Sequence, residues 1–209
     1  MLTELKTFIK DCGSDPVVLL DTETTGFHQM MDAVVQFSGI RFILEADGTI
    51  DPRHFEKEDF YIKSPVPMPE EAFAVNGISD EMLAEKGLEP VEAIERIKKF
   101  LNMDGFRSVP VIGHNIGFDM KMLNGLFEQN LGDRSLSKAR EWIIPAFQCD
   151  TLALARKVVP GRKEDHPHTL GHMIEYIGAD PARFEFHNSM GDVFATAQVY
   201  NWLVRSFAH

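Results

Sequence analysis

Cysteine is scarce: Cys12 and Cys149 are the only two in 209 residues. A disulfide framework needs more, and so does a zinc site built on cysteine alone. Apolar runs such as Val17 to Leu20 fall far short of the roughly 20 residues a membrane-spanning helix needs, so no membrane association is expected. The opening residues carry Glu4, Lys6 and Lys10 and no apolar stretch of leader type. A secretory signal is therefore not expected, and a reducing cytoplasm is the simplest home. Positive charge is also in the minority. Lysine and arginine number 21 against 32 acidic residues, a net charge of −11. Coating nucleic acid by bulk electrostatics needs the opposite balance. Meeting phosphate through metal ions held on carboxylates does not. Repeats, low-complexity tracts and Gly/Ser-rich linkers are absent, so residues 1–209 read as one domain. Hydrophobic residues at 44% and charged residues at 25% are globular values.

What is present is a run of periodic segments. Residues 17–22 (VVLLDT) are apolar and β-branched, as a buried strand would be. Residues 33–44 continue the sheet, Asp47-Gly48 supplies a turn, and residues 54–63 offer a third antiparallel strand. The proline-rich stretch 64–71 reads as a loop, and Ser79 before Asp80 and Glu81 reads as a helix start. Residues 90–101 place Val91, Ile94, Ile97 and Leu101 on one helical face. A short strand at 109–113 precedes a helix at 117–128. Helices follow at 150–158 and 169–177, and a last one runs from Ser189 to Phe207 with Asn188 as N-cap. Strands followed by helices alternating with short strands indicate an α/β class with a mixed sheet. The segment 132–148 gives no clear pattern.

Four carboxylates stand in unusual contexts. Asp21 ends a run that should be buried, and Glu23 points to the same side of an extended strand. Two such acids repel each other unless a cation compensates them or water reaches both. In GHNIGFD (113–119) Asp119 stands at a helix start, where an acid can also serve only the helix dipole. In HNSMGD (187–192) His187 precedes the last helix and Asp192 lies in its first turns, where capping is the plainer alternative. Taken together, several acids and one histidine are what a two-metal phosphoryl-transfer site requires. Its cations sit about 3.5–4 Å apart and need shared carboxylates. Hard cations such as Mg²⁺ and Mn²⁺ prefer oxygen ligands. An imidazole, with an unperturbed pKa of about 6.5, can take a proton from an attacking water.

These motifs, in this order, resemble the DEDDh family of 3′→5′ exonucleases, DnaQ-like proteins with a ribonuclease H-like fold. The first motif is Asp21-Thr22-Glu23, extended as DTETTG to Gly26. The second is His114-Asn115-Ile116-Gly117-Phe118-Asp119, and the third is His187 through Asp192. Weaker matches are NGIS (76–79) and DTLALAR (150–156). Gln36 and Gly191 depart from the pattern, since many members carry an acid at these places.

The resemblance implies a central five-stranded mixed sheet with three antiparallel N-terminal strands, flanked by helices. It implies two Mg²⁺ or Mn²⁺ ions. Asp21, Glu23 and Asp192 would hold the first, and Asp21, with Asp119 mostly through water, the second. His187 would be the general base, and nucleoside 5′-monophosphates would leave a free 3′ end one at a time. Thr24, Thr25 and Gly26 would fix the terminal nucleotide. Phe27 would wedge against the last bases, with core packing as its alternative. Phe73, Asn76 and Ile78 would line the same pocket, beside His114 and Asn115. The basic loop 156–168, with Arg156, Lys157, Arg162 and Lys163, would touch upstream phosphates or simply be solvated. A zinc reading of His166, His168 and His172 lacks a fourth ligand.

DNA is the favoured substrate, in proofreading or repair, and a single-stranded 3′ end suits so acidic a chain. An exoribonuclease of the ribonuclease T or oligoribonuclease type is the alternative. A non-catalytic module binding nucleic acid or a polymerase would need a broken acid set. A polymerase or repair-complex partner and a homodimer remain open.

Overall fold

The computed structural model describes residues 2–51, 53–101, 109–131, 148–161 and 167–208. Five strands form one sheet in the order β3-β2-β1-β4-β5. They are β1 (Val17–Thr24), β2 (Val34–Phe42), β3 (Glu56–Tyr61), β4 (Val111–Gly113) and β5 (Gln148–Asp150). The first three are antiparallel, and β4 and β5 add to β1 in parallel. The mixed sheet expected from the motifs is therefore present.

Strand β1 explains the layering. Its VVLL run is buried on both faces. Val17 and Leu19 join one core and Val18 and Leu20 the other, as the two-residue period of a strand requires. The first core is closed by α1 (Thr3–Cys12) and by α8 (Ser189–Phe207), a helix of 19 residues whose first turn is capped by Asn188. The second is closed by α4 (Pro90–Phe100) and α5 (Ile116–Leu131). Short helices α2 (Glu70–Asn76), α3 (Asp80–Lys86), α6 (Thr151–Val158) and α7 (Leu170–Tyr176) complete the layers.

Several expectations shift in detail. The loop at 64–71 ends two residues early, because α2 begins at Glu70 with two acids in its first turn. On α4 the buried face is Ala93, Ile94, Ile97 and Phe100, while Val91 is 52% exposed. Helix α1 had no counterpart among the expected elements. Its Leu5, Phe8 and Cys12 recur at helical spacing and pack into the first core. Within 132–148 only Gln148 is described, as the first residue of β5. Gln36 and Gly191 acquire local reasons. Gln36 is buried on β2 opposite Glu23. A Cβ at Gly191 would lie 2.1 Å from the Glu185 carbonyl oxygen, so the tight entry to α8 admits only glycine.

Candidate active site

Alternation along β1 sets the site. Asp21 and Glu23 continue the face of Val17 and Leu19, toward α8, while Thr22 points with Leu20 toward α5. Helix α8 brings Asp192 to the acids from its first turn. One carboxylate oxygen from each of Asp21, Glu23 and Asp192 lies within 4.8 Å of the others. Asp119, on α5, is held separately. Its Oδ1 accepts from the Thr22 backbone N–H at 3.0 Å and from the Thr22 hydroxyl at 2.8 Å. All these groups gather where β1 and β4 end, the edge at which open α/β sheets place their ligands.

The electrostatics are those of a cation site. Burial raises the Asp21 carboxyl well above its usual range, and the charges of Asp119, Asp192 and Glu23 add to it. Glu23 is pushed up to about 8 by burial and then by Asp192 and Asp119. Asp119 rises to about 7 through burial, against the lowering effect of its Thr22 hydrogen bonds. Asp192 rises to about 6, again chiefly through burial, with the nearby His187 opposing. Oδ1 of Asp192 is also buried without a hydrogen-bond partner. An orphaned anionic oxygen beside two crowded carboxylates fits a divalent cation, which satisfies the oxygen and removes the repulsion together.

His187 is exposed at the head of α8 with φ 62°, a left-handed conformation unusual for histidine. Its backbone N–H donates to Asp192 Oδ2 at 3.3 Å. The bend, just ahead of the Asn188 cap, turns the His187 backbone toward Asp192.

The expected nucleotide residues divide. Thr24 donates its hydroxyl to the Gly26 carbonyl at 2.7 Å, and Asn76 Nδ2 reaches the Thr24 carbonyl at 3.4 Å, tying α2 to the end of β1. Phe27 is 81% exposed, and its ring lies 5.9 Å from that of Phe118. Core packing is thus not its role. The loop carrying it is fixed on α5: Lys121 Nζ donates to the Phe27 carbonyl, and Gln129 Nε2 to that of Gln29. Gly26 passes so close to Asp32 that a Cβ would lie 2.5 Å from its carboxylate. Phe73 is 47% exposed.

Thr25, Ile78 and His114 instead face inward. The Thr25 hydroxyl accepts from the Ala33 N–H, and Ile78 is buried against Ala33, Val35 and Leu83. Burial pulls the His114 imidazole down to about 4, so the ring is neutral. Its Nε2 donates to the His168 carbonyl at 2.8 Å, and its Nδ1 lies 2.9 Å from the Thr151 hydroxyl, which also donates to the Gly113 carbonyl at 3.1 Å. Asn115, at φ 71°, turns the chain into α5, and its N–H donates to Asp150 Oδ1. In the basic loop, Lys157 pairs with Glu4, and residues 162–166 lie outside the described residues. His168 Nε2 bonds the Val159 carbonyl and His172 Nδ1 the Thr169 hydroxyl, so neither faces a shared metal. The Ser38, Asp59 and Ser189 side chains, joined next to the acids, had no signal in the sequence beyond strand position.

Fold and site together are those of an α/β enzyme whose clustered carboxylates fit a metal ion. The exonuclease family model RNase_T matches residues 18–200, and the chain belongs to this family. The DNA polymerase III epsilon subunit of Rickettsia prowazekii is 30% identical over 184 residues, 88% of this chain and 71% of the relative. That of Salmonella typhimurium is 30% identical over 185 residues, covering 88% and 69%. Among solved structures, Escherichia coli exonuclease I in complex with a 5cy-dT13 oligonucleotide aligns with TM-score 0.72 at 21% identity. The match covers 93% of this chain and 41% of that one, so the chain spans about two fifths of exonuclease I. The likeness shows the shared fold. The protein is an exonuclease.

Proposed function

We propose that the protein removes nucleotides one at a time from the 3′ end of single-stranded DNA. The observation that carries the reading is the convergence of Asp21, Glu23 and Asp192 within 4.8 Å beside His187, with Asp119 fixed nearby on Thr22. The fit of this cluster to a cation supports two Mg²⁺ or Mn²⁺ ions. Asp21, Glu23 and Asp192 would hold one, and Asp21 and Asp119 the other. When bound, the ions supply charge stabilisation at the scissile phosphate and lower the pKa of water.

The side chains do the rest. His187, exposed beside Asp192, takes the proton of the attacking water. Phe27, presented by a loop pinned to α5, stacks on a base, a contact that tolerates any sequence. Thr24 and Asn76 shape the backbone around the terminal nucleotide, with Phe73 at its rim. His114, Thr25 and Ile78 hold the walls from behind. DNA is favoured because the relatives that match most of the chain are DNA polymerase III subunits, which also points to a polymerase partner. Their match to nearly the whole chain supports one domain over 1–209. The free, buried thiols of Cys12 and Cys149 favour a reducing cytoplasm. Rates on matched DNA and RNA oligomers test the substrate: DNA is expected to be cut faster, and faster cleavage of RNA would replace DNA in this account.

A further inference from the structure

A second polar structure lies beside the acids. In the β1–β2–β3 register Asp21 stands opposite Ser38, and Ser38 opposite Asp59. Ser38 and Ser189 are fully buried, and their hydroxyl oxygens are 2.5 Å apart. Ser38 also bonds Asp59 Oδ1 at 3.0 Å, and a carboxylate oxygen accepts. The direction follows: Ser189 donates to Ser38, and Ser38 donates to Asp59. The Gln36 amide donates to the same Oδ1 at 3.1 Å, while Oδ2 faces Lys57 Nζ at 3.7 Å.

The chain of hydrogen bonds ends on the helix that carries Asp192. Ser189 is the first residue of α8, and Asp192 is three residues on, on the same helical face. That face meets β1 and β2, so one contact joins Ser189 to Ser38 while the next brings Asp192 to Asp21 and Glu23. The three acids lie within 4.8 Å of one another, and without a cation their repulsion opposes the approach of α8 to the sheet. The serine relay favours that approach.

We propose that Asp59, acting through Ser38 and Ser189, is a positioning residue that holds Asp192 in place to bind metal. The inference rests on the metal reading of the acid cluster given above. Asp59 is partly exposed on β3, so its replacement leaves the core intact. The test is Mn²⁺ titration of the full chain by calorimetry, with melting of the metal-free protein alongside. Asp59→Ala is expected to weaken Mn²⁺ binding about tenfold, the size of a lost charge-assisted hydrogen bond. Asp59→Asn, which keeps an accepting oxygen, restores most of the affinity. The KM for oligonucleotide stays unchanged, and saturating Mn²⁺ restores kcat in Asp59→Ala. Ser189→Ala and Asp59→Ala combined weaken binding no more than either alone, because they break one relay. Wild-type Mn²⁺ affinity in Asp59→Ala, even with a lower melting temperature, overturns the proposal alone. Failure of the unmodified protein to bind Mn²⁺ overturns the metal reading as well.

Discussion

Replacing Glu23 with glutamine should make the metal-free protein more stable at alkaline pH while weakening its hold on metal. Glu23 has a carboxyl raised from 4.5 to about 8, by burial first and by Asp192 and Asp119 next. The folded state therefore binds its proton more tightly than the unfolded chain. Stability from this group is complete below about 4.5 and is lost as pH rises through about 8. At about 1.4 kcal/mol per pH unit, the upper limit of the loss is about 5 kcal/mol. Asp21, Asp119 and Asp192 share the same repulsion, so removing one acid relaxes the others. A recovery of about 1–2 kcal/mol is the reasonable scale. For a chain of this size that is about 2–8 °C in melting temperature. The assay is thermal melting of EDTA-treated wild type and Glu23→Gln at pH 5 and pH 8.5. The variant should melt higher at pH 8.5, and the gap should nearly close at pH 5. Added Mn²⁺ should raise the wild type more than the variant, because binding to the folded state alone stabilises it. Equal melting at pH 8.5, or a gap that widens as pH falls, would refute the electrostatic account of the cluster.

Other consequences concern single side chains. His187→Ala should lower kcat about 10²–10⁴-fold with the melting temperature unchanged, since the residue is exposed; steady-state kinetics decide it. Phe27→Ala should raise KM for oligonucleotides by at least about fivefold, the lower end of base-stacking energies, and leave folding intact. His114→Ala should act in the opposite manner. It removes the donor to the His168 carbonyl and the contact to the Thr151 hydroxyl, and should cost about 1–3 kcal/mol of stability by chemical denaturation.

How far the sequence carried the fold depended on the range of each interaction. Strand β1 was legible because four apolar residues followed by Asp-x-Glu show the two-residue period directly. Helix α8 was legible because Asn188 is a cap and its apolar positions recur. The five acid and histidine positions were legible as motifs, and the structure places Asp21, Glu23 and Asp192 together. Short elements were not. Strand β5 has three residues, too few for a period, and exists by pairing with β4. The inward turn of His114 depends on Thr151 and His168, 37 and 54 residues away, and nothing local announces it. Ser38 and Ser189 meet across 151 residues for the same reason. Ile78 looked available as a pocket residue in NGIS, yet burial against Ala33, Val35 and Leu83 is a property of the packed sheet.

The central claim is that the Asp21, Glu23 and Asp192 cluster drives hydrolysis from a 3′ end. A 5′-labelled single-stranded DNA oligomer, incubated with the protein and Mn²⁺ and resolved on a sequencing gel, tests it most directly. A matched oligomer with a blocked 3′ end, an EDTA arm and an Asp21→Ala arm complete the experiment. The account predicts a ladder shortening stepwise from the 3′ end, with nucleoside 5′-monophosphate released, and no ladder in the other three arms. An undiminished ladder in EDTA or with Asp21→Ala would contradict it.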